Sequence, residues 1–455
     1  MSTPLQEMAC IACEAHIPLP RANPRQMGGE NTNEKRAACR KPDERSMMMS
    51  TTQPPPLFLA HDPYPYYQWM REQQPVVYNQ DLEEWLMFRY EDVERVLTEY
   101  ETFSSQAWCC EFNNVLYYTF TRMDPPQMQQ YRSLVSQAFT PRAVAQLPEQ
   151  ITTLAAQLLS RVAGAGQMDV VEDLALPLPL LVMLDLLGLP REEYARLLPW
   201  ARSNAQPCDG PFPPPEMRPY LLDLISTQRH RLRPGVIQSL LEARLEERKL
   251  SEAELLGFCG QLLVSANFEM TPFLGNVVQG LLEQPGLAEE LRAEPALVPG
   301  AIEELMRFYP PLPQTSPRGT TRAVEVSGQS IAAGQRVVAV IASANRDDTM
   351  FAASSRFDIR RTPNPHLSMS TGPHVCLGTH LARLETHVVL SVLLAHLEDL
   401  QLAPGATLVP AGMFGVKHLP ITFRWRSGSP LAQAREQPDP SVRAGAQCPL
   451  PAHRS

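Results

Sequence analysis

Apolar residues recur at helical spacing through most of the middle of the chain. This spacing predicts helices at residues 92–98, 127–139, 143–163, 178–188, 301–309 and 378–397. The longest predicted helix runs from about residue 251 to residue 283, because Ser251 and Glu254 have the spacing of a capping box in front of a long apolar run. The pattern therefore indicates a mainly helical protein.

Alternation of apolar and polar residues is found late in the chain. Residues 323–341 alternate around Gly328 and Gly334, and residues 418–425 alternate again. This pattern is typical of short strands separated by turns. The predicted fold class is therefore mainly α with a small, late β portion, arranged as a single large α-rich domain plus minor β-sheets.

The two ends of the chain lack apolar periodicity. Residues 1–55 and 427–455 are polar and rich in proline, as is typical of disordered segments. We therefore expect a disordered leader, one folded domain over residues 56–426 and a disordered tail. Three consecutive methionines at residues 47–49 suggest that translation begins there.

Composition argues against several classes of protein. Proline accounts for 45 of the 455 residues, about twice the usual share, which suits many helices joined by proline-marked corners. The net charge of -9 offers no basic surface for a nucleic acid. Nine cysteines without a signal peptide do not indicate a disulfide framework.

The sequence also indicates no membrane span and no zinc site. The most apolar stretch, residues 174–190, contains Asp185 and three prolines, which favours a buried core segment over a membrane helix. Cys10 and Cys13 form a Cys-x-x-Cys pair without a second pair at zinc spacing, which favours a chance pair. We therefore expect a cytoplasmic protein.

The most specific motif surrounds Cys376. Residues 369–378 read Met-Ser-Thr-Gly-Pro-His-Val-Cys-Leu-Gly and lead directly into a predicted helix. Backbone N–H groups and the helix dipole at such a position stabilise a thiolate, and the glycines let the loop approach a flat object closely. The sulfur would then serve as a nucleophile or a metal ligand, and the simpler alternative is a buried cysteine at a helix cap.

Three weaker features precede this loop. Glu304 and Arg307 have the spacing of a pair on one helix face, residues 344–347 read Ala-Asn-Arg-Asp, and residues 356–367 contain Arg-Phe-Asp followed by Pro-Asn-Pro-His-Leu. Each feature alone is unspecific, since helix-face ion pairs are common on surfaces. In this order and spacing, however, the chain resembles the cytochrome P-450 haem-thiolate monooxygenases of the soluble bacterial type over roughly residues 60–425.

The resemblance implies a cytochrome P-450 fold and a haem b cofactor, iron protoporphyrin IX. The cysteine motif of that family, Phe-x-x-Gly-x-His-x-Cys-x-Gly, is matched by Gly372, His374, Cys376 and Gly378, while Met369 replaces the phenylalanine. Cys376 would be the proximal ligand of the iron, and its thiolate would push electron density that favours O–O cleavage. Met369 would alter the surroundings of that ligand without removing it.

The resemblance also implies which side chains hold the two haem propionates. His374 and Arg318 occupy the positions that the family uses, where fixed cations would meet carboxylates. Arg132 is a third candidate. The histidine that usually lies four residues before it is Met128 in this chain, so one propionate contact would be missing.

Two further expectations concern residues away from the iron. Glu304 and Arg307 are expected to pair with Arg356 in the structural core beneath the haem. The regions around residues 104–120 and 200–220 are expected to line the substrate entrance. Their aromatic residues suit a bulky apolar ligand or simple core packing equally well; they are Trp108, Phe112, Tyr117, Tyr118 and Phe212.

The predicted long helix departs from the family where it should pass over the haem. The family carries Ala-Gly-x-(Asp or Glu)-Thr there, whereas residues 265–271 read Ser-Ala-Asn-Phe-Glu-Met-Thr. An ungapped match, favoured because both flanks agree, puts Phe268 at the acid and Glu269 at the threonine. A shift by one residue makes Asn267 the glycine and Met270 the threonine.

Neither match leaves a threonine in its place. A Glu269 that faces the iron would relay protons itself, because burial raises the pKa of a carboxyl group and makes it a competent acid. The alternative is a carboxylate paired with a neighbouring side chain away from the haem. Pro272 would open the hydrogen-bond ladder of the helix close to this point.

Three functions follow from these features. The favoured one is a monooxygenase that inserts one oxygen atom from dioxygen into an apolar organic small molecule and takes electrons from a separate ferredoxin or flavodoxin. The second is a peroxide-driven or non-oxygenating haem-thiolate enzyme, because the distal acid–threonine pair is altered. The third is a haem-binding scaffold protein without turnover.

Overall fold

Helices dominate the computed structural model, which describes residues 62–106, 119–205, 215–230, 233–409 and 415–433. The mainly helical prediction is confirmed. The helices of the described chain are α1 Tyr64–Gln73, α2 Tyr90–Thr98, α3 Gln127–Ser136, α4 Pro141–Val144, α5 Pro148–Ser160, α6 Pro177–Leu187, α7 Tyr194–Ala205, α8 Met217–His230, α9 Val236–Glu242, α10 Glu252–Glu283, α11 Leu287–Ala293, α12 Val298–Phe308, α13 Ile341–Ala344 and α14 Thr379–His396.

The strands are short and form small sheets. They are β1 Val76–Asn79, β2 Glu84–Met87, β3 Phe103–Ser104, β4 Gln167–Asp169, β5 Arg244–Leu245, β6 Arg248–Lys249, β7 Arg318–Thr320, β8 Val324–Val326, β9 Gln329–Ile331, β10 Arg336–Ala339, β11 Leu397–Leu402 and β12 Pro420–Trp425. A five-stranded sheet has the order β1-β2-β10-β7-β3, and a three-stranded sheet has the order β11-β12-β4. Two hairpins, β5-β6 and β8-β9, complete the set among the described residues.

The expectation of a β portion confined to the late part of the chain is wrong. β1, β2 and β3 precede most of the helices, and β2 pairs in parallel with β10 in the five-stranded sheet. Four residues are too few for a clear alternation. These strands are stabilised by partners far away in the sequence, which local periodicity does not reveal.

The long helix α10 forms where the capping box predicted it. The backbone N–H of Glu254 donates to the Ser251 hydroxyl at 3.3 Å, and the backbone N–H of Ser251 donates to the Glu254 carboxylate at 2.7 Å. Most of the helix is buried on every side, as expected for a helix through the centre of a large fold. The Pi-helical turn Val171–Ala175 packs against it, together with α6, α7 and α8.

Glu254 also fixes the neighbouring helix α3 to the start of α10. Its carboxylate accepts hydrogen bonds from two guanidinium nitrogens of Arg248, at 2.8 and 2.7 Å, and from the hydroxyl of Tyr131. Tyr131 lies on α3 and stacks on Phe258 of α10 with ring centroids 6.0 Å apart. Arg132, the next residue of α3, is therefore carried on a helix that is held firmly against the centre of the fold.

Several prolines mark helix starts, as the sequence predicts. Pro141, Pro148 and Pro177 lie in the first turns of α4, α5 and α6, where the missing N–H costs no hydrogen bond. Pro272 is different, because it lies inside α10 and the helix continues past it to Glu283. Its position is explained below by a contact with the chain in front of β12.

The pair Glu304–Arg307 lies at the centre of the second half of the fold. Both side chains are 0% exposed, and guanidinium nitrogens of Arg307 meet the two carboxylate oxygens of Glu304 at 2.7 and 2.8 Å. The remaining N–H groups of Arg307 donate to three backbone carbonyl groups, those of Asn345, Ser354 and Arg356. The pair thus holds α12, the turn after α13 and the irregular segment that leads to the cysteine loop.

The third member of this cluster is Arg361. The expectation that the side chain of Arg356 would pair with Glu304 and Arg307 is wrong. The guanidinium of Arg361 lies 3.3 Å from the Glu304 carboxylate, whereas Arg356 contributes only its backbone carbonyl to Arg307. Both arginines lie in the same irregular segment, so spacing along the sequence does not distinguish them. The turn of the backbone between them decides which side chain points inward.

The predicted ends of the domain lie largely outside the described residues. Residues 1–61, with Cys10 and Cys13, and residues 434–455 are not described, so the boundaries at 56 and 426 stay predictions. The described chain continues to the short turn Pro430–Gln433, and the Ser429 hydroxyl lies 3.0 Å from the His396 ring. Within the described chain, every helix is too short or too polar to cross a membrane.

Replacing Arg307 by methionine should unfold the protein under mild conditions. The substitution leaves the Glu304 carboxylate buried without its partner, and such losses typically cost about 3–5 kcal/mol. Chemical denaturation followed by circular dichroism would measure the free energy of unfolding. Arg360→Gln, which removes an exposed ion pair with Glu290, is the control and should change that free energy far less. Equal effects of the two variants would contradict the central role of the buried pair.

Candidate functional site

The loop before α14 holds Cys376 in a tight turn. Ser370 and Gly372 both have left-handed backbone angles, with φ of 58° and 67°, and the backbone N–H of Cys376 donates to the carbonyl of Met369 at 2.8 Å. A Cβ atom on Gly372 would lie 2.9 Å from the carbonyl oxygen of Leu97, at the end of α2. Glycine is thus required there by both backbone conformation and close packing.

The thiol of Cys376 lies in a buried setting that disfavours its charged form. Burial and the negative charge of Glu269 raise the pKa of the Cys376 thiol to about 11, although a hydrogen bond from the N–H of Gly378 opposes the rise. The helix N-terminus alone therefore leaves the sulfur protonated at neutral pH. A cation bound at the sulfur would deprotonate it, because a coordinating thiol loses its proton outright.

Two arginines and a histidine converge next to the cysteine from three different elements. Arg132 comes from α3, Arg318 from β7 and His374 from the cysteine loop itself. Burial, together with the charges of Arg318 and Arg132, lowers the pKa of His374 to about 3. The imidazole is therefore a neutral hydrogen-bonding group beside two guanidinium groups, where the sequence had suggested a fixed cation, and its Nε2 lies 3.0 Å from the Ser105 hydroxyl.

The two guanidinium groups lack acidic partners among the residues that the structure describes. Burial lowers the pKa of Arg318 to about 10, opposed by the charge of Asp124. The Asp124 carboxylate nevertheless accepts its hydrogen bonds from Ser104 and Ser105, and neither Arg132 nor Arg318 forms an ion pair with a described carboxylate. Both arginines are half-buried, and cations withdrawn from water without a partner favour a bound anion, so the site suits a ligand that brings carboxylates of its own.

Glu269 of α10 is the acidic side chain whose charge acts on the cysteine. Its charge raises the pKa of Cys376, and burial raises the pKa of Glu269 itself to about 7. Among the described residues, none forms an ion pair or a hydrogen bond with the Glu269 carboxyl group. The carboxyl group therefore belongs to a half-buried residue and is partly protonated near neutral pH.

Two buried polar residues of α10 lie on the face of the helix away from Glu269. Asn267 and Thr271 are each 1% exposed, and residues four apart lie on one helix face, which is the face away from Glu269. The side-chain polar atoms of both lack hydrogen-bond partners in the described chain. Glu269 lies near enough to Cys376 for its charge to raise the pKa of the thiol, and its match to the threonine of the family pattern stays a prediction.

Pro272 supports the chain segment in front of β12. A Cβ atom on Gly415 would lie 2.8 Å from the Cβ atom of Pro272, so the backbone at Gly415 rests directly on the proline ring. This contact lies one helical turn beyond Glu269 and ties the last strand to the distal helix. Sequence reasoning flagged Pro272 and missed Gly415, whose only signal was an isolated glycine in front of an alternating strand.

The aromatic residues expected at the substrate entrance lie outside the described chain. Trp108, Phe112, Tyr117, Tyr118 and Phe212 all fall in the segments 107–118 and 206–214, which are not described. The expectation that they line an entrance stays a prediction.

The site and fold are similar to those of known haem proteins. The family model described as Cytochrome P450 matches residues 283–410, which include Glu304, Arg307 and Cys376. A protein named putative cytochrome P450 YjiB, from Bacillus subtilis, is 35% identical over 364 residues, covering 76% of this chain and 90% of its own length. Cytochrome P450 monooxygenase PikC from Streptomyces venezuelae is 32% identical, covering 84% of this chain and 98% of its own length.

Solved structures of P450 proteins are also similar to this chain. The crystal structure of CYP109E1 from Bacillus megaterium in complex with testosterone has a TM-score of 0.74 and 30% identity, covering 80% of this chain and 98% of that chain. A mutant of P450 EryK in complex with erythromycin B has a TM-score of 0.73 and 31% identity, covering 79% of this chain and 95% of that one.

Gly415→Ala should weaken the contact between the last strand and α10. The added methyl group meets a rigid proline ring, and overpacking of this kind typically costs about 1–3 kcal/mol. Thermal unfolding would measure the loss. The double variant Gly415→Ala with Pro272→Ala removes the ring and should be less destabilised than the sum of the two single variants. Strictly additive effects would mean that the two residues do not interact.

Proposed function

This chain belongs to the cytochrome P450 family and is a haem-dependent P450 monooxygenase, and we propose that it inserts one oxygen atom from dioxygen into a bulky apolar organic molecule. The observation that carries the proposal is the convergence at one site of Cys376, Glu269, Arg132, Arg318 and His374. Electrons would come from a separate ferredoxin or flavodoxin, one of the redox partners that P450 enzymes use.

The residues at the site fit a haem group. A buried thiol that needs a cation and two guanidinium groups that need an anion are both satisfied by a metal ion in a ring that carries carboxylates. Cys376 would bind the iron, while Arg132, Arg318 and the His374 imidazole would hold the propionates. The sequence contains no Cys-x-x-Cys-His run of the kind that attaches haem covalently, which favours haem b.

Haem, when bound, supplies the iron at which oxygen is activated, and a thiolate ligand donates electron density to that iron. The protein has the task of holding the sulfur, keeping the site dry and delivering protons. Glu269 is suited to the last task, because a carboxyl group with a pKa of about 7 can both hold and release a proton at neutral pH. Phe268 cannot assist it, so Glu269 would act without the neighbouring acid that the family provides.

The names of similar proteins indicate a general class of substrate for this chain. Proteins similar to this chain are named as a cyclomarin C epoxidase, a mycinamicin IV hydroxylase/epoxidase and a P450 crystallised with testosterone. Those names concern those proteins. For this chain we propose a bulky, largely apolar molecule, the class to which testosterone belongs.

A peroxide-driven reaction is the second candidate. It is favoured by one observation, the loss of the acid–alcohol pair at Phe268 and Glu269, because peroxide brings its own protons and electrons. A haem scaffold without turnover is not favoured, since the relatives are named as monooxygenases, epoxidases and hydroxylases.

Cys376→Ser should abolish the thiolate-type Soret band of the reduced carbon monoxide complex while haem is retained, because a serine oxygen is a different ligand. Difference spectroscopy under anaerobic conditions would measure the band. Cys259→Ser is a matched control, since Cys259 is buried on α10 and packs in the apolar core. A thiolate-type band that survives Cys376→Ser, or that is lost only in Cys259→Ser, would refute the assignment of the ligand.

Glu269→Gln should slow turnover with dioxygen and reduced ferredoxin by about 10-fold or more, because general acids contribute at least that much. In the unaltered protein the rate should fall as the pH rises through about 7, since the carboxyl group then loses the proton that it delivers. The variant should lose this dependence. Glu283→Gln, near the exposed end of the same helix, is the control.

Turnover driven by peroxide separates the two candidate reactions. If Glu269 serves dioxygen chemistry, Glu269→Gln should leave the peroxide-driven rate nearly unchanged. If the peroxide-driven rate of the unaltered protein exceeds the rate with any reduced donor, the second candidate replaces the first.

A further inference from the structure

Helix α12 carries two neighbouring glutamates with different tasks. Glu304 is part of the buried cluster with Arg307, whereas Glu303 points to the other side and is 30% exposed. The carboxylate of Glu303 accepts hydrogen bonds from Nε and Nη2 of Arg383, both at 2.6 Å, and lies 3.1 Å from Nε2 of His366. The reaction mechanism proposed above makes no use of these three residues.

The histidine in this cluster has a defined tautomer. Its Nδ1 accepts the backbone N–H of Ser368 at 3.3 Å, so Nε2 carries the proton and donates it to Glu303. The His366 side chain is only 3% exposed. Burial would raise the pKa of Glu303, but the hydrogen bonds from Arg383 and His366 outweigh it and lower the pKa to about 2. Glu303 is therefore an anion at neutral pH.

Arg383 connects this cluster to the cysteine. It lies on the second turn of α14 and donates through Nη1 to the carbonyl of Thr379 at 3.3 Å. The Thr379 hydroxyl in turn donates to the carbonyl of Cys376 at 2.8 Å. The hydrogen bonds to Glu303 raise the pKa of Arg383. A continuous set of contacts thus runs from His366 to the residue that carries the sulfur.

The same segment is held a second time by the adjacent glutamate. Asn364, two residues before His366, donates its side-chain N–H to Glu304 at 3.1 Å. The two carboxylates of α12 therefore both contact the chain at residues 364–366, ten residues before Cys376. Of these two carboxylates, that of Glu303 also binds Arg383 of α14.

We infer that Glu303 is a positioning residue that, together with His366, holds Arg383 against the first turn of α14 and so keeps Cys376 where its sulfur can bind iron. The inference rests on the proposed role of Cys376 as the iron ligand. It differs from an ordinary surface ion pair, which contributes little, because the pair is bidentate, has a third donor and is joined to the cysteine through Thr379.

The test uses the haem-loaded protein and follows its thiolate-type Soret band in the reduced carbon monoxide complex. Glu303→Gln keeps the size of the side chain and removes its charge. We expect the band to convert to the form without a thiolate ligand about 3-fold to 10-fold faster than in the unaltered protein, as for the loss of a partly exposed charged hydrogen bond. Far-ultraviolet circular dichroism, recorded in parallel, should stay constant during the conversion.

Three comparisons decide the result. Glu289→Gln, which removes a carboxylate paired with Arg292 in an exposed position on α11, should convert at the unaltered rate. Arg383→Lys retains the charge but not the bidentate contact and should give an intermediate rate. The double variant Glu303→Gln with Arg383→Lys should convert no faster than the faster of the two single variants, because both changes break one connection.

Several outcomes would overturn the inference. The first is a conversion rate for Glu303→Gln equal to that of Glu289→Gln. The second is a rate for Arg383→Lys equal to that of the unaltered protein, which would assign the effect to charge alone. The third is a loss of the Soret band that coincides with the loss of helical signal. Absence of a thiolate-type band in the unaltered protein would refute the proposed function first, and the inference with it.

Discussion

The structure depends most on the buried ion pair between Glu304 and Arg307. Each of the five N–H groups of Arg307 meets an acceptor, two on Glu304 and three on the backbone of residues 345, 354 and 356. A charge that is 0% exposed is tolerated only when it is satisfied this completely. The segment between α13 and the cysteine loop has little regular structure, so this pair and Arg361 take the place of a sheet or helix in holding it.

The thiol and the two guanidinium groups of the site lack partners of opposite charge in the described chain, and this indicates which ligand they suit. The Cys376 thiol has a pKa of about 11 and needs a cation to ionise, whereas Arg132 and Arg318 are half-buried without described acidic partners. A metal ion in an anionic ring satisfies both requirements together. These unsatisfied groups form a set that the proposed haem would satisfy, and such groups are common at functional sites.

The distal helix shows how one change in sequence alters several neighbouring features. Where the family has an acid followed by an alcohol, this chain has Phe268 and Glu269, and three residues later Pro272 replaces an N–H with a ring on which Gly415 rests. In the ungapped match the acid would lie one position further along the helix, and the last strand is anchored at the same turn. The proposed proton donor and the contact that places the last strand are therefore adjacent in this protein.

Local features of the chain were predictable from the sequence, and partners distant in sequence were not. The capping box and apolar run predicted the bounds of α10, and the glycines around Cys376 predicted a tight loop before a helix, because both depend on residues within a few positions. The early strands, the choice of Arg361 over Arg356, and the contact of Gly415 with Pro272 depend on segments that meet only after folding. Periodicity and capping are properties of neighbours along the backbone, whereas strand pairing and the satisfaction of a buried charge require groups from distant parts of the chain, and only the tertiary structure decides which of them arrive.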